Sequence, residues 1–128
     1  MTEFHILYPK SAAGKAAWNK AYGLNAYYSG KHWSIRKRDA EFWHLQTISA
    51  INRLGIRYHP YQRPVKISFF WDDKMDIDNH AVIGKMIVDA LKGILIVDDT
   101  RKYLRKVSHE FSDDGFITVK VEEINDTI

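Results

Sequence analysis

Residues 76–99 read DIDNHAVIGKMIVDALKGILIVDD, with two aspartates at each end, Asp76 and Asp78 then Asp98 and Asp99, around a filling of Ile, Val, Met and Leu. Carboxylates brought together repel one another unless they share protons or bind a cation. Aspartate oxygens, with no cysteine in the chain and no histidines at paired spacing, suit a hard cation such as Mg2+ or Mn2+ rather than zinc. An EF-hand calcium loop beginning at Asp76 is excluded, because His80, Ala81 and Ile87 fall where an oxygen ligand, a glycine and a bidentate glutamate are required. In the competing reading each acid acts only locally, with Asp78 or Asn79 capping a helix and Asp98 and Asp99 occupying a turn.

The elements around this segment must position the acids. VKISFFW, residues 65–71, alternates as a strand with Val65, Ile67, Phe69 and Trp71 on one face. Asp76 and Asp78 then fall at the mouth of a helix, where a loop and exposed backbone N–H groups can orient carboxylates. That helix is predicted from about Asp78 or Asn79 to near Gly93, packing through Val82, Ile83, Met86, Ile87, Ala90 and Leu91. The run ILIV is predicted to be buried and to deliver Asp98 and Asp99 to another edge, so the apolar segment acts as a rigid spacer.

Elsewhere, Phe4 to Tyr8 reads as a short strand. Ile35, Phe42, Leu45, Ile48, Ala50, Ile51 and Leu54 recur at helical spacing over 34–54, with Gly55 at the C-cap position. Residues 103–111 and 116–123 read as two strands joined in a hairpin by SDDG, whose acids serve only the turn. The polar, aromatic stretch before Trp33 carries no clear period. The pattern predicts one α/β (α+β) domain over residues 1–128, a small mixed or antiparallel sheet packed with two main helices.

With 128 residues, 45% hydrophobic, the chain can bury one core but not two. No apolar run is long enough for a signal peptide or a membrane span, and the lack of cysteine fits a reducing compartment; a soluble, cytoplasmic protein is expected. The net charge of +3 is unevenly spread. Through Lys66 there are eleven Lys or Arg against Glu3, Asp39 and Glu41; beyond it there are eight against thirteen acids. A basic half suits a polyanion, which the acidic half would repel unless cations intervene; uneven surface charge is the plainer reading.

In order along the chain, DIDN at 76–79, GKMIVDAL at 84–91 and VDD at 97–99 resemble the RusA-type Holliday junction resolvases, often found in phages and prophages. The predicted order of elements is similar too. The resemblance implies a homodimeric, Mg2+-dependent endodeoxyribonuclease (Mn2+ a possible substitute) that resolves four-way junctions in DNA recombination and repair, with no organic cofactor and no membrane association. It implies that Asp76, Asp78 and Asp99 are metal-binding catalytic carboxylates and that Asn79 supports their loop. The family's helix lysine falls at Val82 when counted from DIDN and at Lys85 when counted back from DAL. Lys85 is the candidate; its alternative is an ion pair with Asp89, four residues on. His80 and His109 are possible bases, but a lone histidine is more often a packing residue.

Such an enzyme needs contacts to DNA. NAYYSGKHWSIRKR, residues 25–38, interleaves Tyr27, Tyr28 and Trp33 with Lys31, His32, Arg36, Lys37 and Arg38, so cations can grip phosphates while aromatic faces meet opened bases. The alternative puts the aromatics in the core and the cations on a solvated helix start. Arg101 and Lys102, in TRKYLRK just after Asp99, form a second cationic stripe. Two other functions stay open: a metal-dependent nuclease for flaps, forks or duplex, and a module that binds branched DNA without cutting it.

Overall fold

The computed structural model describes residues 1–124. Four strands, β1 (Thr2–Leu7), β2 (Val65–Trp71), β3 (Leu104–Phe111) and β4 (Phe116–Glu123), form one sheet in the order β1-β4-β2-β3. β1 and β2 both pair antiparallel with β4, whereas β3 pairs parallel with β2, so the sheet is mixed. Four helices complete the domain: α1 (Ala12–Tyr22), α2 (Leu24–Tyr28), α3 (Trp33–Arg53) and α4 (Ala81–Leu91). This is the α+β class expected, with α3 and α4 packed on each other as the two main helices.

Alternation determines which face of the sheet is buried. Val65, Ile67, Phe69 and Trp71 of β2 are almost wholly buried, and the register sets Ile67 and Phe69 beside Val121 and Val119 of β4, which lies beside Phe4 and Ile6 of β1. α3 and α4 cover this face with Trp43, Ala50, Ile51, Ile83, Ile87 and Leu91. The opposite face carries Glu3, His5, Lys66 and Lys120, as a sheet with one packed face should. At Gly84 α4 lies close against the sheet: a Cβ there would meet His109 Cε1 at 3.0 Å, so a side chain would have to displace that ring of β3.

Three expectations change. The strands on either side of SDDG do not form a hairpin: β3 and β4 flank β2, and residues 112–115 cross its end, Ser112 N–H donating to the Trp71 carbonyl at 2.8 Å and Gly115 N–H to Asp72 Oδ2 at 2.7 Å. Four residues between apolar strands fit either path, and the central strand is chosen by long-range burial. The apolar period of α3 is displaced as well. Its buried stripe is Asp39, Trp43, Thr47, Ala50 and Ile51, while Ile35, Phe42, Leu45 and Leu54 are exposed. Neither Asp78 nor Asn79 caps α4 through its side chain; a 3-10 turn, Ile77–His80, precedes it, closed by Asn79 N–H on the Asp76 carbonyl. The unassigned stretch before Trp33 is α1 and α2, in which Trp18 alone is buried. The expected C-cap of α3 is present: Gly55 has φ +67°, Ile56 N–H reaches back to the Ile51 carbonyl and Gly55 N–H to that of Asn52.

Candidate functional site

β2 ends at Trp71 and the chain leaves the sheet through Asp72, Asp73, Lys74 and Met75. Met75 is buried and anchors this exit, which leaves Asp76 and Asp78 exposed at the start of the 3-10 turn. Neither carboxylate has a hydrogen bond or ion pair among the described residues. The second pair is placed differently. Gly93, at φ +80°, turns the chain out of α4; Leu95 and Ile96 are buried; the following loop lays Asp99 against the helix. Asp99 Oδ2 lies 3.2 Å from Lys92 Nζ and 3.7 Å from Lys85 Nζ, and Asp89 Oδ1 lies 2.9 Å from Lys85 Nζ and 3.3 Å from Lys92 Nζ.

Two lysines and two aspartates therefore form a compact, charge-balanced cluster on one side of α4. The hydrogen bond from Lys92 holds the Asp99 carboxyl below the usual aspartate value, and Asp99 and Asp89 raise the Lys92 ammonium in return. Among the described residues Asp98 accepts only the Asp99 backbone N–H, a turn contact. Lys85 thus makes the pair with Asp89 that was the alternative to its role as the family's lysine, and it also approaches Asp99, a candidate metal ligand. Among the described residues, no three His, Asp or Glu side chains are gathered closely enough to enclose one ion. Asp99 is brought to Lys85; Asp76 and Asp78 are not joined to it.

The cationic residues divide. Lys31 is held inside the fold, ion-paired with buried Asp39, donating to the Ala21 carbonyl at 2.8 Å and lying over the Tyr22 and Tyr27 rings. It is a structural cation, in place of the DNA contact expected. Tyr27 donates to Asp39 at 2.6 Å; burial first and that carboxylate second push its phenol pKa up. His32 caps α3, its Nδ1 accepting from Ser34 N–H at 3.2 Å. Arg36 packs on Tyr27 and donates to its carbonyl at 3.0 Å. Lys37 and Arg38 are exposed on α3, Trp33 at its start is 70% exposed and Tyr28 of α2 is 79% exposed. For these two rings the core alternative does not hold. Arg101 and Lys102 are exposed in the loop between Asp99 and β3.

A buried polar network that no local sequence signal marks lies at the base of the acidic loop. His80 is fully buried, with Nε2 2.9 Å from both Asp73 oxygens and Nδ1 3.0 Å from the Ile77 carbonyl. Both nitrogens thus have oxygen partners within hydrogen-bond distance. Asp73 also accepts from the Tyr8 hydroxyl at 2.7 Å and from Met75 N–H at 2.9 Å. Burial alone would raise the Asp73 pKa, but the hydrogen bonds from His80 and Tyr8 together outweigh it and hold the group below its usual value. Burial pushes Tyr8 upward, helped by Asp73. Trp71 stacks on His80 at 4.4 Å and donates from Nε1 to His109 Nδ1 at 3.0 Å, leaving His109 with its hydrogen on Nε2; burial, then His80, lowers the His109 pKa. Both histidines are packing residues that hold the root of the acidic loop. The spacing Asp73 to His80 lies in the sequence, but Tyr8 stands 65 positions from Asp73 and nothing local marks it.

Among the described residues no helix is long and apolar enough to cross a membrane. Compared with protein-family models, curated proteins and solved structures, the chain matches none.

Proposed function

We propose that the chain is a metal-dependent endodeoxyribonuclease acting on branched DNA, with the four-way junction as its substrate, as the resemblance to RusA-type resolvases implies. One observation carries the reading: Asp76 and Asp78 stand exposed, with no partner among the described residues, on a loop anchored by buried Met75 and by the Asp73–His80 pair, while Asp99 is folded back onto the helix that begins there. In donor chemistry the three carboxylates fit a hard cation. Asp76, Asp78 and Asp99 would hold Mg2+ or Mn2+, which when bound supplies an activated water and neutralises charge at the scissile phosphate. The chain's own residues do the rest. Lys85, which reaches both Asp89 and Asp99, lends positive charge to the phosphate or leaving oxygen. Asn79 closes the turn that carries the acids. Trp33 and Tyr28 offer faces to unpaired bases beside Lys37 and Arg38, and Arg101 and Lys102 hold the backbone near Asp99.

Two symmetric incisions require two sites, hence a homodimer. A supporting feature is the outer edge of β3, which pairs with β2 alone among the described residues. Antiparallel pairing of two β3 strands about Ser108 would set Lys106 of one chain opposite Glu110 of the other.

The test is incubation of a synthetic four-way junction with the protein and Mg2+, with EDTA as control, and flaps, forks and duplex in parallel. Paired, Mg2+-dependent cuts in the junction support the proposal; cuts confined to flaps or forks move the activity to that substrate. One observation favours a second reading: Lys85 and Lys92 already neutralise Asp89 and Asp99, so the cluster is complete without an ion. That is a module which binds branched DNA without cutting, and a shifted band with no product at any Mg2+ concentration would establish it.

A further inference from the structure

A cavity of about 410 Å³ opens between α1 and the exit of β2, next to the acidic loop. Its wall combines Tyr8 and Trp18, whose rings meet edge to face at 5.1 Å, with Asn19, Asp72, Lys15 and Lys74. This volume lies in the range of small-ligand sites. Three features of its polar groups point in one direction. Asn19 Oδ1 is buried and has no hydrogen-bond partner, which a folded chain rarely tolerates without a ligand or water to satisfy it. Asp72 holds Gly115 N–H through Oδ2, leaving Oδ1 with no protein donor among the described residues. Lys15 and Lys74 are exposed at the cavity and make no ion pair among the described residues. The cavity therefore offers acceptors inside, aromatic surface beside them and ammonium groups at the rim. Its complement is a flat ring with an N–H donor on its edge and a phosphate attached.

We propose that this cavity binds one unstacked nucleotide of the DNA substrate, its exocyclic amino group donating to Asn19 Oδ1 or Asp72 Oδ1, its ring against Tyr8 and Trp18 and its phosphate on Lys15 or Lys74. The proposal rests on the nuclease reading for why a nucleotide lies there, since Lys74 is two residues from Asp76 and a base seated here would tether the strand beside the candidate metal ligands. Stacking on aromatic side chains and ammonium contacts to the backbone are how single-stranded segments are held. A buried acceptor left unpaired discriminates against a base that lacks the donor.

The test is a titration of the 15N-labelled full chain, followed by NMR, with dAMP, with the 5′-monophosphate of purine deoxyriboside, which carries hydrogen in place of the amino group and has no N–H on its edge, and with deoxyribose 5-phosphate. The expected result is that dAMP moves the Asn19 side-chain amide, the Trp18 indole and the Lys74 and Gly115 amides, and binds at least about five-fold more tightly than the purine nucleotide. Asn19→Leu, or Asp72→Asn, which keeps an acceptor for Gly115 N–H, narrows that preference according to which acceptor holds the amino group. A preference undiminished in both variants, equal affinity for the two nucleotides in the wild type, or shifts away from these residues, overturns the proposal. So does the absence of shifts at millimolar nucleotide. Junction cleavage by the same preparation separates the two readings: cutting without nucleotide in the cavity removes this proposal alone, while a filled cavity in a protein that cuts no DNA removes the nuclease reading alone.

Discussion

Replacing Tyr8 by phenylalanine removes a hydroxyl that serves two partners: it donates to Asp73 Oδ2 at 2.7 Å and accepts from Asp72 N–H at 2.9 Å. The ring and its edge contact with Trp18 remain, so the change isolates the hydrogen bonds. A hydrogen bond to an ionised, partly buried carboxylate contributes about 2 kcal/mol and one to a backbone amide about 1 kcal/mol. Water entering from the adjoining cavity can answer part of what is lost, so a net destabilisation of about 2 kcal/mol is expected. An unfolding entropy of about 2.1 cal/mol/K per residue gives about 0.27 kcal/mol/K for a chain of this length, and the melting temperature should fall by about 7 °C. Urea unfolding followed by tryptophan fluorescence, with thermal melts alongside, measures both. Tyr28→Phe, at an exposed ring, is the control and should lie within about 0.5 kcal/mol of the wild type. If Tyr8→Phe falls within that same margin, the Tyr8–Asp73–His80 network does not hold the acidic loop as described.

The same network gives a pH dependence. Because the folded-state pKa of Asp73 lies below the ordinary 3.8, its stabilisation is fully present above about pH 4 and is lost as pH falls through the lower, folded value. The stability gap between wild type and Asp73→Asn should therefore narrow below about pH 4, and a gap that widens there refutes the assignment. Asp76→Asn, Asp78→Asn and Asp99→Asn should each abolish Mg2+-dependent cleavage while junction binding persists or strengthens, whereas Asp113→Asn and Asp114→Asn, in the strand-crossing turn, should cleave normally; if all three of the former cut DNA, the metal reading is defeated. Lys85→Ala and Asp89→Ala should both change stability by no more than about 0.5 kcal/mol, as suits an exposed pair, but only Lys85→Ala should lose cleavage with binding retained. Trp33→Ala should weaken junction binding by about 1 kcal/mol or more in a mobility-shift titration with the fold intact, and unchanged affinity would remove the ring from the interface.

What the sequence made legible follows from which interactions are local. β2 was readable because a strand buried on one face must alternate, and Val65, Ile67, Phe69 and Trp71 keep that period, with Phe70 the one apolar residue on the other face. α3 was readable as a helix with its glycine cap, yet its buried stripe was not. Asp39 and Thr47 lie inside because Lys31 with Tyr27 and the Trp43 carbonyl satisfy them, while Phe42 and Leu45 point outward. α1 was missed because AAGKAAWNKAY has a single large buried residue, too few to set a period. The partner of β3 could not be read, since a four-residue connection between apolar strands is compatible with a hairpin and with a crossing over a third strand. At the candidate site, the exposure of the acids just after β2 was legible from strand and turn signals. The pairing of Asp99 with Lys92, on the far side of buried Leu95 and Ile96, depends on how the 93–99 loop folds back onto α4.

The pairing of β1 with β4 has a consequence for how the chain is made. Thr2 lies opposite Val121 and Leu7 opposite Phe116, so among the described residues β1 has its one neighbour in β4, a strand made long after it. At ordinary rates of synthesis β1 waits on the order of ten seconds before β4 leaves the ribosome. Throughout that interval Phe4 and Ile6, fully covered in the finished sheet, face solvent on an open strand. β4 is also the strand on which β2 depends for its antiparallel neighbour, so none of the antiparallel sheet can form until residues 116–123 emerge. Folding of this sheet is thus gated by β4, and the nascent chain carries a sticky, unpaired edge that ribosome-associated chaperones are suited to shield.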